Sequence, residues 1–438
     1  DRDEWWKILF VRMTVGWSMH YAAAAYNYEP LAYGRQVDVD WSTMKEYLDR
    51  VEKTRIGLNY AMLFGHGAIR YWAMGLEARP ADEEDMDRMK AMADQAMKDG
   101  AFGMSSGLSG CPGCWATTEE LIELCKVVKK HDGVYMPHQR SMDKSAIAES
   151  IEIAEKSKVR TCLSHTRPTP EGLKMIDEAR ARGLDITFDT MPYAGSIAGN
   201  IVPLLPHWLS RRRDEGFEWI TEQLRDPKVR EWFVKEGYPR WVARARSVPG
   251  KPPVTPEGPN WAGMQVQKVW TAKNQKYIGM TFEQIAKERG VDPWTAWLDI
   301  VCDEKGYVRW LNFRGVSYED LYNPGFEEQV KGKDPYICIE SDGPIESPRG
   351  VTIKSVDPRS YGTFPLALEY VRKRKATSWE DIIKKMTSNT AKVLDIRDRG
   401  LLKTGLWADI AVFNPETVES RANFKNCLEI SHPGINHD

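Results

Sequence analysis

The chain has 438 residues, with 61 Lys and Arg against 63 Asp and Glu, for a formal net charge of -2 at pH 7. That balance offers no electropositive surface for a phosphate backbone, so no nucleic-acid partner is expected. Hydrophobic residues at 42% and charged residues at 28% suit a packed protein rather than a disordered one, and no apolar run approaches the ~18 residues that cross a bilayer.

Residues 1–56 read as helical and aromatic, with Asp40-Trp41-Ser42-Thr43 placed to cap a helix carrying Met44 to Glu52. The apolar run Leu58–Phe64 then leads into Gly65-His66-Gly67. A helix over 82–99 stops at Gly100, and Ala101–Met104 runs into Ser105-Ser106-Gly107. Thr117-Thr118-Glu119-Glu120 has the capping-box pattern and opens a helix over 118–131. Val134–Met136 is a strand leading into Pro137-His138, followed by a helix over 143–157. Strand Val159–Leu163 leads into Ser164-His165, and a helix over 170–182 ends at Gly183. Strand Leu184–Phe188 leads into Asp189, after which a Pro- and Trp-rich, mostly helical insert covers 197–330. Tyr336–Ile339 leads into Glu340-Ser341-Asp342-Gly343, with helices at 363–374 and 378–393.

Strands alternating with helices predict parallel βαβ units. Six such units are present, with polar residues just beyond each apolar run. This is the arrangement of the C-terminal face of a (β/α)8 TIM barrel, where active sites sit. Six strands do not close an eight-stranded barrel, so the barrel is expected to be incomplete in this chain, with a partner segment at its open edges. Seven Cys without framework spacing point to a reducing compartment, and the expected location is the cytoplasm.

The strongest chemical signal is His138 with His165, each ending one of two consecutive strands, which would aim two imidazoles at one metal. Asp342 ends the last strand and could bind metal or take a proton from a metal-activated water. Arg167 and Arg359 are candidates to grip a substrate carboxylate. His66, between two glycines, reads more simply as a loop histidine. Cys111 and Cys114 form a CxxC without a second pair, which supports neither a zinc finger nor a redox centre.

In this order the motifs resemble the N-acyl-D-amino-acid deacylases (D-aminoacylases) of the amidohydrolase superfamily. The segments that carry the resemblance are Gly65-His66-Gly67-Ala68-Ile69-Arg70, Gly103-Met104-Ser105-Ser106-Gly107-Leu108, His138-Gln139-Arg140 and Leu163-Ser164-His165. Pro192-Tyr193-Ala194-Gly195-Ser196, Ser341-Asp342-Gly343, Pro358-Arg359-Ser360-Tyr361-Gly362 and Gly405-Leu406-Trp407-Ala408-Asp409 complete them. The resemblance implies a metal-dependent barrel over 1–396 beside a small β-sandwich, of which 397–438 would be a part. It implies one or two zinc ions, or another divalent metal, bound by His138 and His165, with Asp342 as general acid/base. Arg167, Tyr193, Ser196 and Arg359 would contact an anionic small-molecule substrate, as would Arg140 and His66 with less defined roles.

Two departures matter. The family's first barrel strand carries His-x-His and its second a metal-binding Cys; no His-x-His occurs here, and the first Cys is Cys111. The expectation is one subunit of a split or processed enzyme, with a companion polypeptide supplying those ligands. Thr166-Arg167-Pro168 also replaces the family's usual apolar–Lys pair. The expected reaction is amide hydrolysis, the alternatives being a cyclic amide or imide, a C–C bond beside a carbonyl, or a non-catalytic scaffold.

Overall fold

The computed structural model describes residues 41–56, 58–75, 77–108, 112–141, 143–166, 168–193, 195–197, 204–205, 209, 216–237, 259–313, 323–331, 336–343 and 358–422. The first helix, α1 (Met44–Thr54), begins as its sequence dictates. Thr43 accepts the Glu46 N–H, and Glu46 returns a hydrogen bond to the Thr43 N–H.

Strands and helices then alternate: β1 (Leu63–Gly65), α2 (His66–Met74), α3 (Glu83–Lys98), β2 (Gly103–Gly107), α4 (Thr118–Lys130), β3 (Val134–His138), α5 (Lys144–Ser157), β4 (Arg160–Leu163), α6 (Pro170–Ala181) and β5 (Ile186–Thr190). An insert contributes β6 (Gly195–Ile197), α7 (Gly216–Arg225), α8 (Pro227–Trp232), β7 (Met264–Lys268), α9 (Phe282–Arg289), α10 (Pro293–Asp303), β8 (Arg309–Phe313) and α11 (Pro324–Lys331). The chain returns through β9 (Ile337–Ile339), α12 (Arg359–Arg374), α13 (Trp379–Met386) and α14 (Ser388–Val393).

Six strands form one sheet in the order β1-β2-β3-β4-β5-β9, every pair parallel. Strand alternation sorts the side chains between its two faces. Leu163, Phe188 and Ile337 pack outward against Ile147, Ile151 and Ile176 of the helices. Cys162 and Cys338 turn the other way, into a cluster with Val134, Leu63 and Met136. The six parallel strands with helices outside are the incomplete barrel the sequence predicts.

The insert has its own core around Trp297, which is wholly buried. Trp294 and Trp310 meet its ring edge-on at 5.7 and 6.3 Å, and Phe233 lies at 6.3 Å. Trp294, Trp297 and Trp310 are therefore packing residues.

The structure departs from the sequence reading in four elements. The insert is not merely helical: β6, β8 and β7 form an antiparallel sheet in that order. The expected helix over 378–393 is two helices, because Thr387 (φ -127, ψ -87) breaks it. The helix expected from 363 starts at Arg359 and carries Pro365 inside it. No strand occurs among described residues 397–422, and Leu402 and Val412 there are exposed at 80% and 71%. No described helix is long and apolar enough to cross a membrane.

Candidate metal centre

The centre lies where β3, β4, β5 and β9 end. His138 is the last residue of β3, and His165 follows β4 by two positions. His138 Nδ1 and His165 Nε2 are in direct contact, with ring centroids 4.5 Å apart. The structure thus brings together the pair the sequence singles out. His165 (φ 36) and Asp342 (φ 47) are both in the left-handed region, an unfavourable place for a residue with a Cβ.

Each of these backbones is held in place. The Asp189 carboxylate, on β5, accepts the His165 N–H. Behind the loops runs a buried chain of hydrogen bonds. Gln139 donates to Ser150 Oγ (3.1 Å) and accepts from Thr166 Oγ1 (2.9 Å); Gln329 of α11 donates to the Thr166 carbonyl and accepts from Thr190. Gln139 and Thr166 are the direct chain neighbours of His138 and His165. The network therefore sets both imidazoles at once.

Asp342 is paired with Arg359, the first residue of α12, whose Nη1 donates to Oδ2 at 2.6 Å with both side chains almost fully buried. Gly343 permits this closeness. A Cβ there would meet Ser360 N at 3.0 Å and the Arg359 carbonyl carbon at 3.2 Å.

Two further carboxylates complete the centre, and neither was assigned a role from sequence. One donor atom from each of His165, Asp189 and Glu340 can be chosen so that all lie within 4.8 Å of one another. Burial pushes the Asp189 carboxyl up to about 7; the His165 N–H works against the rise, and the Asp342 charge adds to it. Burial, then the charges of Asp189 and Asp342, push Glu340 well above the carboxylate range, with Arg359 opposing. Glu340 Oε1 is buried with no hydrogen-bond partner. A signal for Glu340 was present: it precedes Asp342 by two, so strand alternation gives both the same face.

The grouped donors, one imidazole and two carboxylates of which one has an orphaned buried oxygen, fit a divalent metal. A cation would offset the charge that these buried carboxylates impose on one another.

Other expected contacts lie elsewhere. His66 is the first residue of α2, not a loop residue. Its Nε2 is 2.8 Å from Glu120 Oε1, and the second Glu120 oxygen accepts from Arg70, one helical turn along α2. Glu120 accordingly abandons the second half of its predicted capping box, although Thr117 still accepts the Glu120 N–H. Arg140 is wholly buried. It donates to both Glu149 oxygens (3.1 and 3.0 Å), to the Cys114 carbonyl (3.1 Å) and to the Ala116 carbonyl. Tyr193 is likewise buried, its hydroxyl 2.9 Å from both Ser420 Oγ and the Ala422 carbonyl. Gly362 allows it, since a Cβ there would fall 1.9 Å from that hydroxyl. The structure gives these three side chains internal partners. Ser196 lies on β6, with its side chain outside the description. Arg167 and Cys111 lie outside the described residues; Cys114 is buried.

A parallel sheet with histidines and carboxylates gathered at its C-terminal ends is the architecture of the metal-dependent amidohydrolase barrel. Residues 341–427 match the model of the amidohydrolase family. The chain is similar to N-acyl-D-amino-acid deacylases. It is 26% identical to the D-aminoacylase of Alcaligenes xylosoxydans xylosoxydans over 396 residues, covering 88% of this chain and 66% of that protein. The N-acyl-D-glutamate deacylase of the same organism is also 26% identical, over 91% of this chain and 68% of its own length. The chain thus spans about two thirds of the curated relatives it matches. Among solved structures, the N-acyl-D-glutamate deacylase from Bordetella bronchiseptica, complexed with zinc and a phosphonate inhibitor, superposes with TM-score 0.67 at 22% identity. That match covers 99% of this chain and 79% of that one. A D-aminoacylase described as defining a novel subset of amidohydrolases superposes with TM-score 0.65 at 22% identity, covering 98% and 79%. The fold is shared.

Proposed function

We propose that the chain carries a metal-dependent hydrolase centre for the carbon–nitrogen bond of a small acylated amine bearing an anionic group. What supports this is the direct contact of His138 with His165 and the buried Asp342–Arg359 pair, both at the C-terminal ends of parallel strands. The relatives named above, deacylases of D-amino acids and D-glutamate, support the same chemistry.

His138 and His165 are the residues that would hold zinc, as one ion or two. When bound, such an ion lowers the pKa of water towards ~7 and polarises a carbonyl. Asp342 is the acid/base: its carboxylate accepts the proton of the attacking water and returns it to the leaving nitrogen. Arg359 Nη1, 2.6 Å from Asp342 Oδ2, holds that carboxylate in one orientation. With Arg140 and Tyr193 engaged internally, the substrate's anion falls to Arg167 or Arg359. The buried thiols of Cys125, Cys162, Cys302 and Cys338 accord with a reducing, cytoplasmic setting. Among the described residues β1 and β9 each bond to one neighbouring strand, which leaves both edges available to the companion segment this reading includes.

The test is release of amine from a panel of N-acetyl-D- and N-acetyl-L-amino acids, acidic side chains included, by zinc-loaded protein. Turnover of at least one, abolished by Asp342→Asn, is the expected result. A zinc-loaded protein inert towards acyl amino acids and cyclic imides alike would overturn the amide-hydrolase reading and leave the C–C bond and scaffold alternatives.

A further inference from the structure

The carboxylate of Glu340 has no role in the reading above, yet it lies inside the centre. It extends β9 by one residue, and Asp189 of β5 pairs in register with Cys338. Glu340, two residues beyond Cys338, therefore faces the side that Asp189 faces. Its Oε1 is buried and unpartnered. A carboxylate oxygen taken out of water with no donor costs several kcal/mol unless a cation or donor meets it. The nearby guanidinium, Arg359, puts its Nη1 on Asp342. What Glu340 does have close by is one imidazole and one more carboxylate, donor atoms all within 4.8 Å.

We propose that His165, Asp189 and Glu340 form a divalent-cation position of this chain, with Glu340 as a direct ligand. One imidazole nitrogen and two carboxylate oxygens make a borderline-hard donor set suited to zinc or manganese. At ligand distances of about 2.0–2.2 Å the three donors draw in from their present separations of up to 4.8 Å towards a common centre. Asp189 then has two tasks, Oδ1 taking the His165 N–H and Oδ2, which the Cys162 thiol approaches at 3.9 Å, meeting the cation. The proposal shares only His165 with the hydrolase reading.

Metal-stripped wild type, Glu340→Gln and Asp189→Asn are titrated with zinc alone, followed by calorimetry and by metal content after gel filtration. Both variants are expected to lose one zinc equivalent per chain, or to bind it at least ~10-fold more weakly. The zinc-induced rise in Tm should shrink with it. Should Glu340→Gln fail to fold, Asp189→Asn alone carries the comparison. Wild-type stoichiometry, affinity and Tm rise in the folded variants would overturn the proposal. His138→Ala separates the two readings. If it abolishes hydrolysis while Glu340→Gln leaves zinc binding intact, this site falls and the hydrolase stands. If Glu340→Gln loses zinc but zinc-loaded wild type hydrolyses no acyl amino acid, the hydrolase falls and this site stands.

Discussion

His165 illustrates how much one residue is asked to do here. It contacts His138, its N–H is held by Asp189, and its backbone sits at φ 36. A β-carbon in that region costs on the order of 1 kcal/mol, which the surrounding hydrogen bonds must offset. His165→Ala should therefore lose metal and turnover together while folding normally, as checked by zinc content and circular dichroism. Asp342→Asn should behave differently. It keeps the imidazoles, so zinc content stays near wild type, while kcat falls by ~10²–10⁴, the usual worth of a positioned acid/base. Retained turnover would remove Asp342 from the mechanism. These residues were legible in the sequence because each closes an apolar run, and a run's end is a local feature.

The helices and strands show where local reading reaches its limit. Glu120 sits at the capping-box position of α4, but a closer pair of partners on α2 claims its carboxylate. Glu120 is nonetheless held below the usual carboxylate range: burial acts to raise it, and His66 and Arg70 outweigh that. Arg140 and Glu149 form a second buried pair, tying the end of β3 to α5 and to the turn before α4. Arg140→Met should leave Glu149 buried without its cation and cost about 3–5 kcal/mol in urea unfolding. Loss of substrate affinity at unchanged stability would instead restore Arg140 to the binding site. At the start of α3 Asp85 is buried: burial acts to raise its carboxyl, but Arg79, the Asp82 N–H and Arg88 hold it down to about 2. A carboxyl depressed in the folded state adds stability above its unfolded pKa of ~3.9, and loses it as pH falls towards 2. Wild type should therefore lose stability between about pH 4 and 2, and Asp85→Asn should flatten that part of the curve. The two profiles, followed by tryptophan fluorescence, decide it.

Among the described residues the Trp297 cluster of the insert is a core distinct from the clusters around β1 to β5 and β9 and from the one on α11, α12 and α13. Trp297→Ala should cost about 3–5 kcal/mol of unfolding free energy. Because its contacts lie within the insert, zinc stoichiometry at the barrel should not change; a loss of bound zinc would show that the insert and the barrel are coupled.

The βαβ alternation, the helix caps at Thr43 and Thr117, and the polar ends of the strands were all readable along the chain, since each depends on residues a few positions apart. The same is true of His138, His165 and Asp342. The meeting of Asp189 with Glu340 was not readable, nor was the capture of Glu120 by His66 and Arg70. Nor were the internal ties of Arg140 and Tyr193, or the antiparallel sheet hidden in the insert. All of these join segments far apart in sequence. Their geometry comes from strand register and from helices packing side by side, and side-chain periodicity states which face a residue takes but never which distant residue will stand opposite it.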